Sequence, residues 1–139
     1  DYSLFALQVA KINSAEWAES KVNFLLGDWL QPLSSEKFDL IVSNPPYIEI
    51  HDRHLEALHF EPQAALVAKD KGLADLRSII KQARRCLKPQ GYLVLEHGYN
   101  QQSDVADSLT EAGYDDLRLL EDNNSTPRAV IARLQQAES

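Results

Sequence analysis

At 139 residues, with 44% hydrophobic and 25% charged residues, the chain has material for one soluble core and at most one domain. No apolar run approaches the roughly 18 residues of a membrane span, and no basic-then-apolar leader opens the sequence. A net charge of -7, with its fourteen basic residues scattered, disfavours a phosphate backbone as partner, and the single Cys86 excludes an internal disulfide, which fits a reducing cytoplasm.

In chain order, Ser3 reads as an N-cap. Phe5, Val9 and Ile12, beside Leu4 and Leu7, then fall at helical spacing to about residue 19. Residues 22–26 read as a short strand ending in Gly27-Asp28-Trp29, and after a Pro-bearing loop residues 39–43 read as a second, buried strand. Residues 48–71 mix charges, three His and Pro62 without a period, which predicts a long functional loop. Leu73, Leu76, Ile80, Ala83 and Leu87 step by three and four along an amphipathic helix that Lys88-Pro89-Gln90-Gly91 ends. Residues 92–96 form a third apolar strand. A helix over 102–112 follows, with Val105 and Leu109 inward and Gly113 as its stop. Residues 117–121 and 129–134 alternate as strands, and the short polar connection 122–127 favours an antiparallel pair. Residues 135–139 read as a frayed tail. Alternating strands and helices describe an open α/β sheet.

Asn44-Pro45-Pro46-Tyr47 follows the run Phe38-Asp39-Leu40-Ile41-Val42-Ser43 and therefore sits at the carboxyl end of a strand, where open α/β sheets hold their ligands. Two prolines remove two backbone donors and fix φ, leaving a stiff edge of outward carbonyls. Asn44 adds an acceptor and two donors, and Tyr47 adds a flat π face. Such an edge suits a planar amide or amine.

This tetrapeptide after a hydrophobic strand resembles the motif of S-adenosylmethionine-dependent methyltransferases that act on planar nitrogens. Asp1-x-Ser3 with Ala6-Leu7, Ala10 and Asn13 narrows the resemblance, as do Phe60-Glu61-Pro62, Ala65-Leu66, Asp70-x-Gly72-Leu73, Leu93-x-Leu95-Glu96-x-Gly98, and Asp122 with Arg128. In that order they are similar to the release-factor glutamine methyltransferases, the HemK/PrmC family. The resemblance implies a class I, Rossmann-like methyltransferase sheet closed by an antiparallel strand pair. It also implies a sheet incomplete at its N-terminal end, because the first strands and the glycine-rich turn have no counterpart among the five Gly. Residues 1–134 are accordingly read as a partial catalytic domain of a longer protein, and the isolated chain is expected to bind cofactor weakly.

Roles transfer by resemblance. Asp1 would accept hydrogen bonds from the cofactor ribose, or else serve only as a helix-start carboxylate; Asp28 and Trp29 would meet the adenine. Asn44 and the Pro45 carbonyl would each accept one hydrogen of a glutamine amide, with Asn44 also on the cofactor side. Pro46 and Tyr47 would flank the substrate, and Glu61 and Pro62 would shape its loop. The implied cofactor is S-adenosyl-L-methionine and the implied partners are peptide chain release factors. His51, His54 and His59 match no zinc spacing and are read as surface residues, so no metal is expected. His97 stands where the family has an apolar residue and is read as tuning local packing. A nucleic-acid exocyclic-amine methyltransferase sharing the tetrapeptide, and a non-catalytic piece of the same fold, are the alternatives.

Overall fold

The computed structural model describes residues 1–17, 22–33, 38–47 and 72–135. The chain divides into two compact units, Asp1–Ser35 and Glu36–Ser139, each taken here by itself.

In the first unit, helix α1 spans Leu4–Trp17. Ser3 caps it as expected: the Ala6 N–H donates to Ser3 Oγ at 3.2 Å and the Leu7 N–H to Ser3 O at 3.1 Å. The anticipated inward face of α1 is exposed, with Phe5 at 76% and Ile12 at 68%. Residues 22–26 do not form the expected strand. A ladder requires a neighbouring strand, and the backbone hydrogen bonds of this segment run to Asp1. The Asp1 amino nitrogen donates to Leu25 O at 3.0 Å and the Gly27 N–H donates to Asp1 O at 2.9 Å, which is the pattern of a single parallel bridge.

The second unit is built on β1 (Phe38–Ser43), α2 (Ala74–Cys86), β2 (Leu87–Glu96), α3 (Gln102–Glu111), β3 (Tyr114–Glu121) and β4 (Pro127–Leu134). The sheet order is β1-β2-β4-β3. β1 runs parallel to β2, while β4 pairs antiparallel with both β2 and β3. The closing antiparallel pair is therefore present, with the last strand inserted between its neighbours. Paired residues share a face, so Ile41, Leu93 and Ala132, with Leu95 and Val130, line one side of the sheet. These five are buried, together with Leu76, Ile79, Ile80 and Ala83 of α2 and Val105 and Leu109 of α3. On the opposite side Leu40 and Val42 are exposed at 53% and 66%, so β1 is buried on one face and is not the buried strand expected.

One boundary departs from the expected loop at Lys88-Pro89-Gln90-Gly91, and another agrees with the expected stop at Gly113. The segment 87–91 is the start of β2 and not a loop, because Leu87 pairs with Phe38 across a register shift. Gln90 takes a φ of +66° there, and a side chain on Gly91 would press on the carbonyls of Lys88 and Phe38. Gly113 ends α3 at a φ of +82°, as a C-terminal glycine does. Among the described residues no helix is long and apolar enough to cross a membrane.

Candidate active site

Parallel pairing places the ends of β1 and β2 side by side, with Ser43 opposite Leu95. Asn44-Pro45-Pro46-Tyr47 continues β1, and His97 to Gln101 continues β2 after Glu96, so both loops lie at the carboxyl edge of the sheet. Pro45 is fully buried, Asn44 is exposed, and Pro46 and Tyr47 are half-buried. The buried ring anchors the edge while the Asn44 amide stays open to a ligand.

Tyr47 is held at both ends. Its hydroxyl donates to Glu96 Oε1 at 2.8 Å, and its carbonyl accepts from Gln101 Nε2 at 3.0 Å. Burial, then the hydrogen bond to Glu96 and the charge on that carboxylate, push the phenol up from 10.0 to about 12, so it stays neutral. A neutral Tyr47 keeps donating to Glu96, and its ring is thereby fixed beside the Asn44 edge.

His97 follows β2 and is buried, with its N–H donating to Arg128 O at 2.9 Å. Its Nδ1 lies 2.9 Å from Gly98 O; a carbonyl only accepts, so Nδ1 carries the proton. Its Nε2 is buried with no hydrogen-bond partner among the described residues, a cost an apolar side chain would not carry.

In the first unit, Asp1 Oδ1 accepts the Ser3 N–H at 2.8 Å, the helix-start role weighed for it, and the residue remains exposed with its second oxygen available for a ligand. The bridge from Asp1 to Leu25 and Gly27 brings it next to the turn that carries Asp28 and Trp29. Gly27 is required there, since any Cβ would collide with the Pro32 ring. Asp28 Oδ2 accepts from Gln31 Nε2 at 2.9 Å, and Trp29 sits in the left-handed region at a φ of +47°. A non-glycine residue held there costs about 1–2 kcal/mol, the kind of strain found at ligand sites. A carboxylate and a half-buried indole next to one another fit a nucleoside, whose ribose donates hydroxyls and whose base stacks.

Glu61 and Pro62 lie outside the described residues, as do His51, His54 and His59. A groove of about 340 Å³ between α2 and α3 takes its lining from Arg77, Lys81, Arg84 and Glu111, none of them in the carboxyl-edge loops. Gln101 belongs to none of the motifs in the sequence, and Glu96 and Gly72 occur only within motifs. The available signal was the Glu96-x-Gly98 sequence directly after an apolar strand.

A profile described as a methyltransferase domain matches residues 1–135. A protein of Shewanella oneidensis named release factor glutamine methyltransferase is 43% identical over 130 residues, covering 92% of this chain and 46% of that relative. The chain spans about half the length of the curated relatives it matches. Among solved structures, a methyltransferase from Pyrococcus furiosus superposes with a TM-score of 0.72 at 16% identity, covering 98% of this chain and 61% of that one. The N-methyltransferase NodS of Bradyrhizobium japonicum, in complex with S-adenosyl-L-homocysteine, does so with a TM-score of 0.59 at 19% identity, covering 99% and 65%.

Proposed function

This chain belongs to the methyltransferase-domain family, and on that premise we propose that the protein transfers a methyl group from S-adenosylmethionine to the side-chain amide nitrogen of a glutamine. The proposed substrate is the Gly-Gly-Gln loop of peptide chain release factors, encountered in the cytoplasm. The carrying observation is the exposed Asn44 beside the buried Pro45 at the carboxyl end of β1. The names of the relatives support the choice of substrate.

When bound, S-adenosylmethionine supplies an electrophilic methyl carbon on a sulfonium; Asp1, Asp28 and Trp29 are the residues that would hold its nucleoside. Asn44 Oδ1 and the Pro45 carbonyl would each accept one N–H of the substrate amide. An amide nitrogen is a weak nucleophile because its lone pair is delocalised. Acceptors that draw on both N–H bonds favour a pyramidal nitrogen, so they act most strongly as the transition state forms. Orientation of the amide contributes the rest, and no side-chain nucleophile is needed. Tyr47 would flank the planar amide with a ring already fixed through Glu96. The acidic balance of the chain, -7, argues against the nucleic-acid alternative.

Asn44→Ala tests the reading. One lost transition-state acceptor costs roughly 3 kcal/mol, so labelled methyl transfer to a release factor should fall by about a hundredfold or more, with cofactor affinity much less affected. Near-normal turnover would remove Asn44 from the mechanism.

A further inference from the structure

We propose that Gln101 is the positioning residue of the Asn44-to-Tyr47 edge: its side-chain amide, packed against Gly72, sets the direction in which Asn44 Oδ1 and the Pro45 carbonyl face a substrate amide. This rests on the reading of that edge as a methyl-acceptor site.

Pro45 and Pro46 have no N–H, so the backbone of these two residues cannot be held through donors of its own. It is held instead through the Tyr47 carbonyl, which accepts from Gln101 Nε2 at 3.0 Å. Gln101 is 4% exposed, and its Oε1 accepts the Gly98 N–H at 2.9 Å. The Gly98 N–H only donates and the Tyr47 carbonyl only accepts, so the Gln101 amide has one possible orientation. Its backbone is fixed as well, since the Gln101 N–H donates to Gly98 O at 2.9 Å.

Gly72 closes the other side. It sits at a φ of +79°, and any Cβ there would collide with Tyr47 O and Gln101 Nε2. The absence of a side chain lets the Gly72 backbone, the Tyr47 backbone and the Gln101 amide meet closely. With the Tyr47 ring tied to Glu96 as well, a shift at the Gln101 contact passes to the Pro45 carbonyl through two residues of fixed φ. Gln101 acts on the edge through the Tyr47 carbonyl.

Gln101→Glu separates positioning from mere structural support. The variant keeps an acceptor for Gly98 N–H, but its ionised carboxylate sets an oxygen against the Tyr47 carbonyl. When protonated, its O–H donates to that carbonyl again, and burial beside an acceptor raises the carboxyl's titration toward neutrality. In the intact protein, kcat for methyl transfer to a release factor at about pH 8 should fall roughly tenfold to a hundredfold, the cost of a small misplacement of reacting groups. Cofactor affinity should hold, and activity relative to wild type should recover as pH is lowered. The Asn44 side-chain amide resonances of the labelled variant should move with the same midpoint, whatever the substrate. Gly72→Ala should lower kcat without acid recovery.

Unchanged kcat in Gln101→Glu, or Asn44 resonances like those of wild type at every pH, would overturn the proposal. A loss of turnover and cofactor binding together, with no acid recovery, would overturn it in favour of simple structural support. Wild-type protein that methylates no release factor, while the Asn44 resonances of the variant still titrate, would refute the substrate reading and leave the positioning role standing.

Discussion

Helix α1 carries the more apolar sequence, yet α2 is the helix that builds a core. In α1, Leu4, Phe5, Val9 and Ile12 are exposed at 60%, 76%, 43% and 68%. In α2, which is crowded with Arg77, Lys81, Arg84 and Arg85, the residues Leu76, Ile79, Ile80, Ala83 and Cys86 are buried to 2% exposure or less. The difference lies in arrangement. Apolar residues of α1 are spread around its circumference, whereas those of α2 are gathered into one stripe opposite the charges. A stripe needs one covering surface, and the sheet face of Ile41, Leu93 and Leu95 supplies it. An all-round apolar helix needs cover on every side, and among the described residues α1 has little.

Paired truncations give the largest contrast. Leu76→Ala should destabilise the chain by about 2–5 kcal/mol, because it opens a cavity in a packed core. Leu4→Ala should stay within about 0.5 kcal/mol, as exposed positions do. Urea unfolding of both variants checks this, and similar losses would show that α1 is packed after all. The same contrast predicts that the 139-residue chain binds a hydrophobic dye, and that Phe5→Ser with Ile12→Ser lowers that binding. Dye binding that responds instead to Leu76→Ala alone would reverse the assignment of exposed surface. In keeping with uncovered surface at α1, Leu40 and Val42, calorimetry should find weak cofactor binding by this chain alone.

Gly113→Ala sharpens the comparison within the second unit. The nearest side-chain atom to a new Cβ is Arg84 Cζ at 3.7 Å, so space is available and only the φ of +82° is penalised, at about 1–2 kcal/mol. Thermal unfolding should show that loss with the fold intact.

Alkaline pH probes the carboxyl edge. Tyr47 titrates at about 12 when folded against 10.0 for a free phenol, so its contribution is complete below pH 10 and is lost as pH rises through 12. Tyr47→Phe should remove a late-ionising phenol from the ultraviolet titration and flatten the alkaline part of the stability profile.

Acid has a smaller effect at the β3–β4 turn. The N–H groups of Thr126 and Asn124, and then the Arg128 guanidinium, hold the Asp122 carboxyl below its ordinary 3.8. Its contribution is present above that value and is lost as pH falls through the lowered one, so the effect of Asp122→Asn should be present at neutral pH and fade in acid.

Local patterns made much of the second unit legible. The stripe of α2, the Gly113 stop and the short polar turn around Asp122 each declare themselves within a few residues. Pairing was less legible. Nothing near residue 130 says that β4 lies between β2 and β3, and Lys88-Pro89-Gln90-Gly91 reads as a break until Phe38 is seen opposite Leu87. Residues 22–26 have a strand's composition, but a strand is realised only by a neighbour. At the site, Asn44 to Tyr47 stood out because two prolines after an apolar strand are chemically distinctive. Gln101 did not, since its contact with Tyr47 spans 54 positions and a single polar residue leaves no periodic trace.

The central claim is that the Asn44-to-Tyr47 edge presents a glutamine amide for methylation, and mass spectrometry of a release factor after incubation with the intact protein and S-adenosylmethionine tests it most directly. The account predicts a single added methyl on the side-chain amide of the glutamine in the Gly-Gly-Gln loop, and its loss with Asn44→Ala. A methyl on another residue or on nucleic acid, or one that persists in Asn44→Ala, would contradict it.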